Sequence, residues 1–116
     1  MKVLLVDDEK KFAVMLSRRL ALRGIDVDFV HTGEAAIDIA KQNQYDVAIL
    51  DVKMPGMGGI ELKQKLMQLD PGMKFIFLTG HGSGVDIETG SKEGSACLAK
   101  PLRIEKLMEI LHDLTG

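Results

Sequence analysis

Val3-Leu4-Leu5-Val6-Asp7-Asp8-Glu9 carries the chain from four aliphatic residues directly into three acidic ones. An unbroken apolar run of this length is the pattern of a strand covered on both faces. The same kind of run returns at Val47–Leu50 and Phe75–Leu78. Further β-prone runs occupy Val27–Val30 and, more weakly, Ala96–Leu98.

Stretches with helical spacing separate these runs. Phe12, Met15, Leu16, Leu20 and Arg23 step by three or four, with the aliphatic part of Arg23 extending the stripe and Gly24 stopping the helix. Ala35, Ile39 and Ala36, Ala40 mark a shorter helix entered through Thr32-Gly33-Glu34. A third runs from Gly59 to Leu69, with Ile60, Leu62, Leu66, Met67 and Leu69 apolar, and ends before Asp70-Pro71-Gly72. The last uses Ile104, Leu107, Met108 and Leu111, one buried helical face. Between Thr79 and Cys97, the glycines at 80, 82, 84, 90 and 94 predict a short, poorly anchored helix. Each glycine inside a helix costs about 0.5–1 kcal/mol relative to alanine, and weakly held segments are the ones proteins use for switching. Five strands alternating with helices imply an α/β fold: a doubly wound parallel sheet with helices on both faces and right-handed crossovers.

Composition narrows the function. The 116 residues make room for one domain, and 46% hydrophobic with 28% charged residues is an ordinary globular mix. A net charge of −2 argues against a module that binds nucleic acid through its own field. No apolar run approaches the roughly 20 residues of a membrane span, and the four aliphatic residues at the start are too few for a signal-peptide core. A single cysteine, Cys97, leaves no internal disulfide and fits a reducing compartment, so a cytoplasmic location is expected.

Ligands of an open parallel sheet bind beyond the carboxyl ends of its strands. There the sequence presents Asp7, Asp8 and Glu9 after the first strand, Asp51 after the third, Thr79 at the end of the fourth, and Lys100 followed by Pro101 after the fifth. The second strand ends in His31-Thr32-Gly33, with no evident chemical group. Taken singly, Asp7 or Asp8 reads as a helix cap, Asp51 and Thr79 as turn residues, and Lys100 as a surface lysine. Together, four strand ends present groups suited to a cation and a phosphoryl group.

Over essentially its whole length, 1–116, the sequence resembles the receiver domain of two-component response regulators. The resemblance is carried by Val3-Leu4-Leu5-Val6-Asp7-Asp8-Glu9, by Leu50-Asp51-Val52-Lys53-Met54-Pro55-Gly56-Met57-Gly58-Gly59-Ile60-Glu61-Leu62, by Leu78-Thr79-Gly80, and by Leu98-Ala99-Lys100-Pro101. It implies the flavodoxin-like strand order 2-1-3-4-5, which sets Asp7 and Asp8 beside Asp51. It also implies Mg²⁺ ligated by Asp8, Asp51 and the backbone carbonyl of Lys53, with Asp7 acting through water. An all-oxygen donor set suits that ion. Asp51 is then the phosphoacceptor, with Thr79 and Lys100 responding to the added charge, in a regulatory domain that catalyses only its own phosphorylation and hydrolysis. The implied partners are a histidine kinase or phosphotransfer protein on one side, and a downstream protein or covalently linked output domain on the other. Phosphorylation-dependent dimerisation belongs to the same expectations; nucleic acid and membrane do not. A cis Lys100-Pro101 bond is implied as well.

The sequence departs from this family at several points. Where receivers carry Tyr or Phe three residues before the lysine, this chain has Cys97, too small to swing a ring, so a signal is expected to travel by backbone and helix movement. Gly94 is one residue closer to Lys100 than usual, and Lys53 puts a positive charge at a position that often controls dephosphorylation. His81, two residues past Thr79, is a candidate for tuning phosphoryl lifetime, whereas His31, His81 and His112 lack metal-ligand spacing. The seven methionines belong to the core or to the Met54–Met57 loop. Two other functions compete: a receiver that docks partners without being phosphorylated, and an Mg²⁺-dependent aspartyl phosphatase. The phosphatase needs Asp-x-Asp at a strand end, and the chain has Asp26-x-Asp28 only at the start of strand two.

Overall fold

The structure, a computed structural model, describes residues 1–80 and 96–116. Its elements are β1 (Lys2–Val6), α1 (Lys10–Ala21), β2 (Asp26–Val30), α2 (Gly33–Ala40), β3 (Val47–Asp51), α3 (Gly59–Leu69), β4 (Lys74–Thr79), β5 (Ala96–Ala99) and, here numbered α4, Ile104–Thr115. The strands form one parallel sheet in the order β2-β1-β3-β4-β5. The expected glycine-rich helix, His81 and Gly94 fall outside the described residues.

Side-chain alternation along the central strands divides the core in two. Val3, Leu5, Val47, Ile49, Ile76 and Leu78 face α1 and α4, meeting Leu16, Leu20, Leu107 and Leu111. Leu4, Val6, Ala48, Leu50, Phe75 and Phe77 face α2 and α3, meeting Ala36, Leu62 and Leu66. Both faces need apolar residues at successive positions, which is why β1, β3 and β4 read as unbroken apolar runs. The edge strands differ: β2 carries Asp26 and Asp28, and β5 is only partly buried. Charge on an edge strand discourages pairing with another sheet.

Two helical stripes are corrected by the structure. In α1 the buried face is Ala13, Leu16, Ser17 and Leu20, while Met15 is exposed. Small Ala13 and Ser17 let the helix approach the sheet, a choice that apolar periodicity alone does not register. The helix ends at Ala21, and Arg23 lies beyond it, exposed, donating from Nη1 to the Arg19 carbonyl at 3.2 Å. That bond satisfies one of the carbonyls left open at a helix end. In α3, Met67 and Leu69 are exposed and Lys63 is buried, its Nζ 5.8 Å from the Phe75 ring centroid. The long lysine stem covers apolar surface that a leucine would otherwise fill.

Candidate functional site

Sheet register brings the polar residues together. Val6 pairs with Leu50, so Asp7 and Asp8 follow β1 beside Asp51 at the end of β3. Thr79 pairs with Ala99 at the ends of β4 and β5, and the Lys100 N–H donates to the Thr79 carbonyl at 2.8 Å. One carboxylate oxygen from each of Asp7, Asp8 and Asp51 lies within 4.8 Å of the others. Asp7 and Asp51 are buried and Asp8 is exposed.

The turn after β1 is held by the site itself. Asp7 Oδ1 accepts the Glu9 N–H at 2.9 Å. Glu9, not Asp7 or Asp8, occupies the N-cap of α1, and its side chain makes no capping bond. His31 Nδ1, in the tautomer protonated there, donates to the Asp7 carbonyl at 3.0 Å and ties the end of β2 to this turn. Strand two therefore does contribute to the site, through a main-chain contact between residues 24 apart in sequence.

Lys100 reaches into the acidic cluster from the far side. Its Nζ lies 2.8 Å from Asp7 Oδ2, 2.8 Å from Glu9 Oε1 and 3.5 Å from Asp51 Oδ2. It also sits 4.6 Å from the centroid of the Phe12 ring. Burial alone would lower the lysine pKa; the Asp7 and Glu9 carboxylates outweigh it and hold the ammonium form well above its ordinary range. Glu9 and Phe12 are the contacts that sequence reading missed, although Glu9 stood in the strand-end motif. The Lys100-Pro101 peptide bond is cis.

Asp51 carries the electrostatic strain of the cluster. Burial first, then neighbouring Asp7 and Asp8, raise its pKa from 3.8 to about 7, with Lys100 and the Lys53 N–H donated to its carboxylate pulling the other way. One lysine leaves three clustered carboxylates with surplus negative charge. An all-oxygen set of this kind fits Mg²⁺, which takes few protein carboxylates and keeps several waters. Thr79 Oγ1 is buried with no hydrogen-bond partner among the described residues. A buried hydroxyl in that condition is costly unless something else accepts from it or donates to it.

The β3–α3 loop is shaped by glycine at two points. Gly56 has φ +76°, in the left-handed region that glycine adopts freely. At Gly59, a Cβ would run into the backbone carbonyl of Asp51, so only glycine lets α3 start this close to the site. The Asp26-x-Asp28 pair is elsewhere engaged. Asp28 Oδ2 accepts from the Tyr45 hydroxyl at 2.6 Å, with Lys2 Nζ at 3.9 Å. Cys97 pairs in register with Phe77 and packs, partly buried, against the α2–α3 core.

Comparison with known proteins agrees with this geometry. Residues 3–112 match the profile of the response regulator receiver domain, and the chain belongs to that family. It is 32% identical over 110 residues to a response regulator receiver protein of Anaeromyxobacter sp. (strain Fw109-5), covering 94% of this chain and 46% of the relative. It is 34% identical to part of the sensor protein EvgS of Escherichia coli (strain K12), covering 98% of this chain and 10% of EvgS. The chain thus spans half or less of the length of these relatives. Among solved structures, the Francisella response regulator 1452 receiver domain superposes with a TM-score of 0.87 at 32% identity, covering 98% of this chain and 95% of that one. A Burkholderia pseudomallei response regulator, solved with a phosphorylated aspartic acid, calcium ion and citrate, gives a TM-score of 0.85 at 29% identity, covering 95% of this chain and 65% of that one. The protein is thus a regulatory receiver of the two-component type. Among the described residues, no helix is long and apolar enough to cross a membrane.

Proposed function

We propose that the domain is a phosphoacceptor switch in which Asp51 takes a phosphoryl group in an Mg²⁺-dependent reaction. The convergence of Asp7, Asp8 and Asp51 on one point beneath Lys100 supports this reading above all. Asp8, Asp51 and the Lys53 carbonyl would hold the cation, with Asp7 acting through water. When bound, the cation offsets the charge of the carboxylates and of the incoming phosphoryl oxygens.

In the reaction, an Asp51 carboxylate oxygen attacks phosphorus and forms a P–O bond. The bond from phosphorus to the donor breaks, and the donor leaves with that electron pair and takes a proton from solvent. The product is an acyl phosphate, about one charge unit more negative than the carboxylate it replaces. Lys100 then has a more strongly charged partner on Asp51, and the Thr79 hydroxyl gains an acceptor for its proton. Both residues sit at the ends of adjacent strands, β4 and β5, so the change acts on that strand pair. The phosphorylated aspartic acid in the Burkholderia structure, which also holds a calcium ion, supports the same chemistry here.

A histidine kinase or phosphotransfer protein is the proposed donor, and a downstream protein or linked output domain is the proposed receiver of the signal. Phosphorylation-dependent dimerisation, residues 1–116 acting as one receiver unit and a cytoplasmic setting complete the proposal. The test is intact-mass measurement after incubation with a small phosphodonor and Mg²⁺. One phosphoryl group should appear on the wild type and none on Asp51→Asn or on wild type in chelator. Equal modification of wild type and Asp51→Asn would overturn it.

A further inference from the structure

Lys100 faces three carboxylates, and two of them hold it closely. Asp7 Oδ2 and Glu9 Oε1 both lie at 2.8 Å, and Asp51 Oδ2 stands further off at 3.5 Å. A phosphoryl group on Asp51 adds charge to the most distant of the three and draws the ammonium toward it at the expense of the contacts at 2.8 Å. Asp7 is fully buried, whereas the Glu9 side chain is 63% exposed. A solvated carboxylate gives up an ion pair at small cost; a buried one does not.

The placement of Glu9 is not explained by the helix it starts. At the α1 N-cap, a short side chain usually accepts a main-chain N–H. Glu9 makes no such bond and instead extends to a residue 91 positions away. Phe12, one turn on, supports the same ammonium from its ring face at 4.6 Å. The first turn of α1 therefore grips Lys100 through a carboxylate and an aromatic ring.

We infer that Glu9 is a positioning residue that competes with the Asp51-bound phosphoryl group for Lys100, and so sets how readily the site takes up that group. The inference rests on the phosphoacceptor reading above. Glu9 holds the ammonium back in the unmodified protein and releases it to solvent-exposed rearrangement when Asp51 gains charge. Weakening the grip shifts the balance toward the modified state by the worth of one exposed ion pair.

The test is the affinity of the full chain for beryllofluoride in saturating Mg²⁺, measured by calorimetry on wild type, Glu9→Gln and Glu9→Asp. Glu9→Gln removes the charge with little change of shape. Glu9→Asp keeps the charge and withdraws it by one methylene. Both variants should bind about two- to fivefold more tightly than wild type, the range expected for one exposed ion pair. Wild-type affinity in Glu9→Gln would overturn the inference. Tighter binding by Glu9→Gln alone, with Glu9→Asp like wild type, would also overturn it, because charge near the site and not contact with Lys100 would then be responsible. If wild type neither binds beryllofluoride nor forms an acyl phosphate, the phosphoacceptor reading falls and takes this inference with it. Normal wild-type phosphorylation with three equal affinities removes the role of Glu9 alone.

Discussion

Replacing Asp51 by Asn should stabilise the metal-free protein at alkaline pH, although it removes a residue of the candidate site. Burial, with Asp7 and Asp8 nearby, raises the Asp51 pKa from 3.8 to about 7. The folded protein thus holds this proton more tightly than the unfolded chain does. The stability so gained is fully present below pH 3.8 and is lost as pH rises through about 7. At about 1.4 kcal/mol per pH unit, the ionised carboxylate costs the folded state up to roughly 4 kcal/mol at pH 8. Asn at 51 can still accept the Lys53 N–H and carries no charge, so it should recover about 2–4 kcal/mol of this. In urea that is a midpoint shift on the order of 1–2 M. The assay is urea unfolding in chelator from pH 5 to pH 8. Wild type should weaken across that range, and Asp51→Asn should stay nearly flat and be the more stable protein at the upper end. Adding Mg²⁺ at pH 8 should raise the wild-type midpoint and leave the variant little changed. A variant no more stable than wild type at pH 8 in chelator, with parallel pH profiles, would refute the reasoning.

Thr79→Val replaces an unpartnered buried hydroxyl with a methyl group of similar shape. Unfolding should show unchanged or slightly higher stability, by up to about 1 kcal/mol, while beryllofluoride binding weakens severalfold; a clear loss of stability would reveal a partner for the hydroxyl. Gly59→Ala should destabilise by roughly 1–3 kcal/mol, because its Cβ meets the Asp51 carbonyl and cannot displace a strand-end backbone cheaply. An unchanged urea midpoint would show that α3 shifts freely. Phe77→Ala, at the centre of the α2–α3 core, should cost about 3–5 kcal/mol in thermal or urea unfolding, since a buried ring leaves a cavity the strands cannot close. A loss under 1 kcal/mol would mean that this layer collapses around the gap.

How much of this was legible in the sequence differs by element. The runs at Val3–Val6, Val47–Leu50 and Phe75–Leu78 announce doubly covered strands because burial on both faces removes the alternation a one-sided strand would show. The α4 stripe of Ile104, Leu107 and Leu111 reads correctly for the related reason that one apolar face meets one sheet face. The α1 stripe misleads because Ala13 and Ser17, chosen for size, carry little hydrophobic signal, while Met15 carries much and stays exposed. Lys63 is buried along its stem, which a reading of residue types scores as surface.

Sequence alone determined the fold class and the strand ends at which Asp7, Asp8, Asp51, Thr79 and Lys100 stand, since both follow from where apolar runs begin and stop. Only tertiary structure decided that Lys100 is gripped by Glu9 and Phe12, that His31 braces the turn at Asp7, and that Asp51 titrates near neutrality. Ion pairs and pKa values depend on charges summed through space at a few ångströms, between residues that chain order leaves up to 91 positions apart.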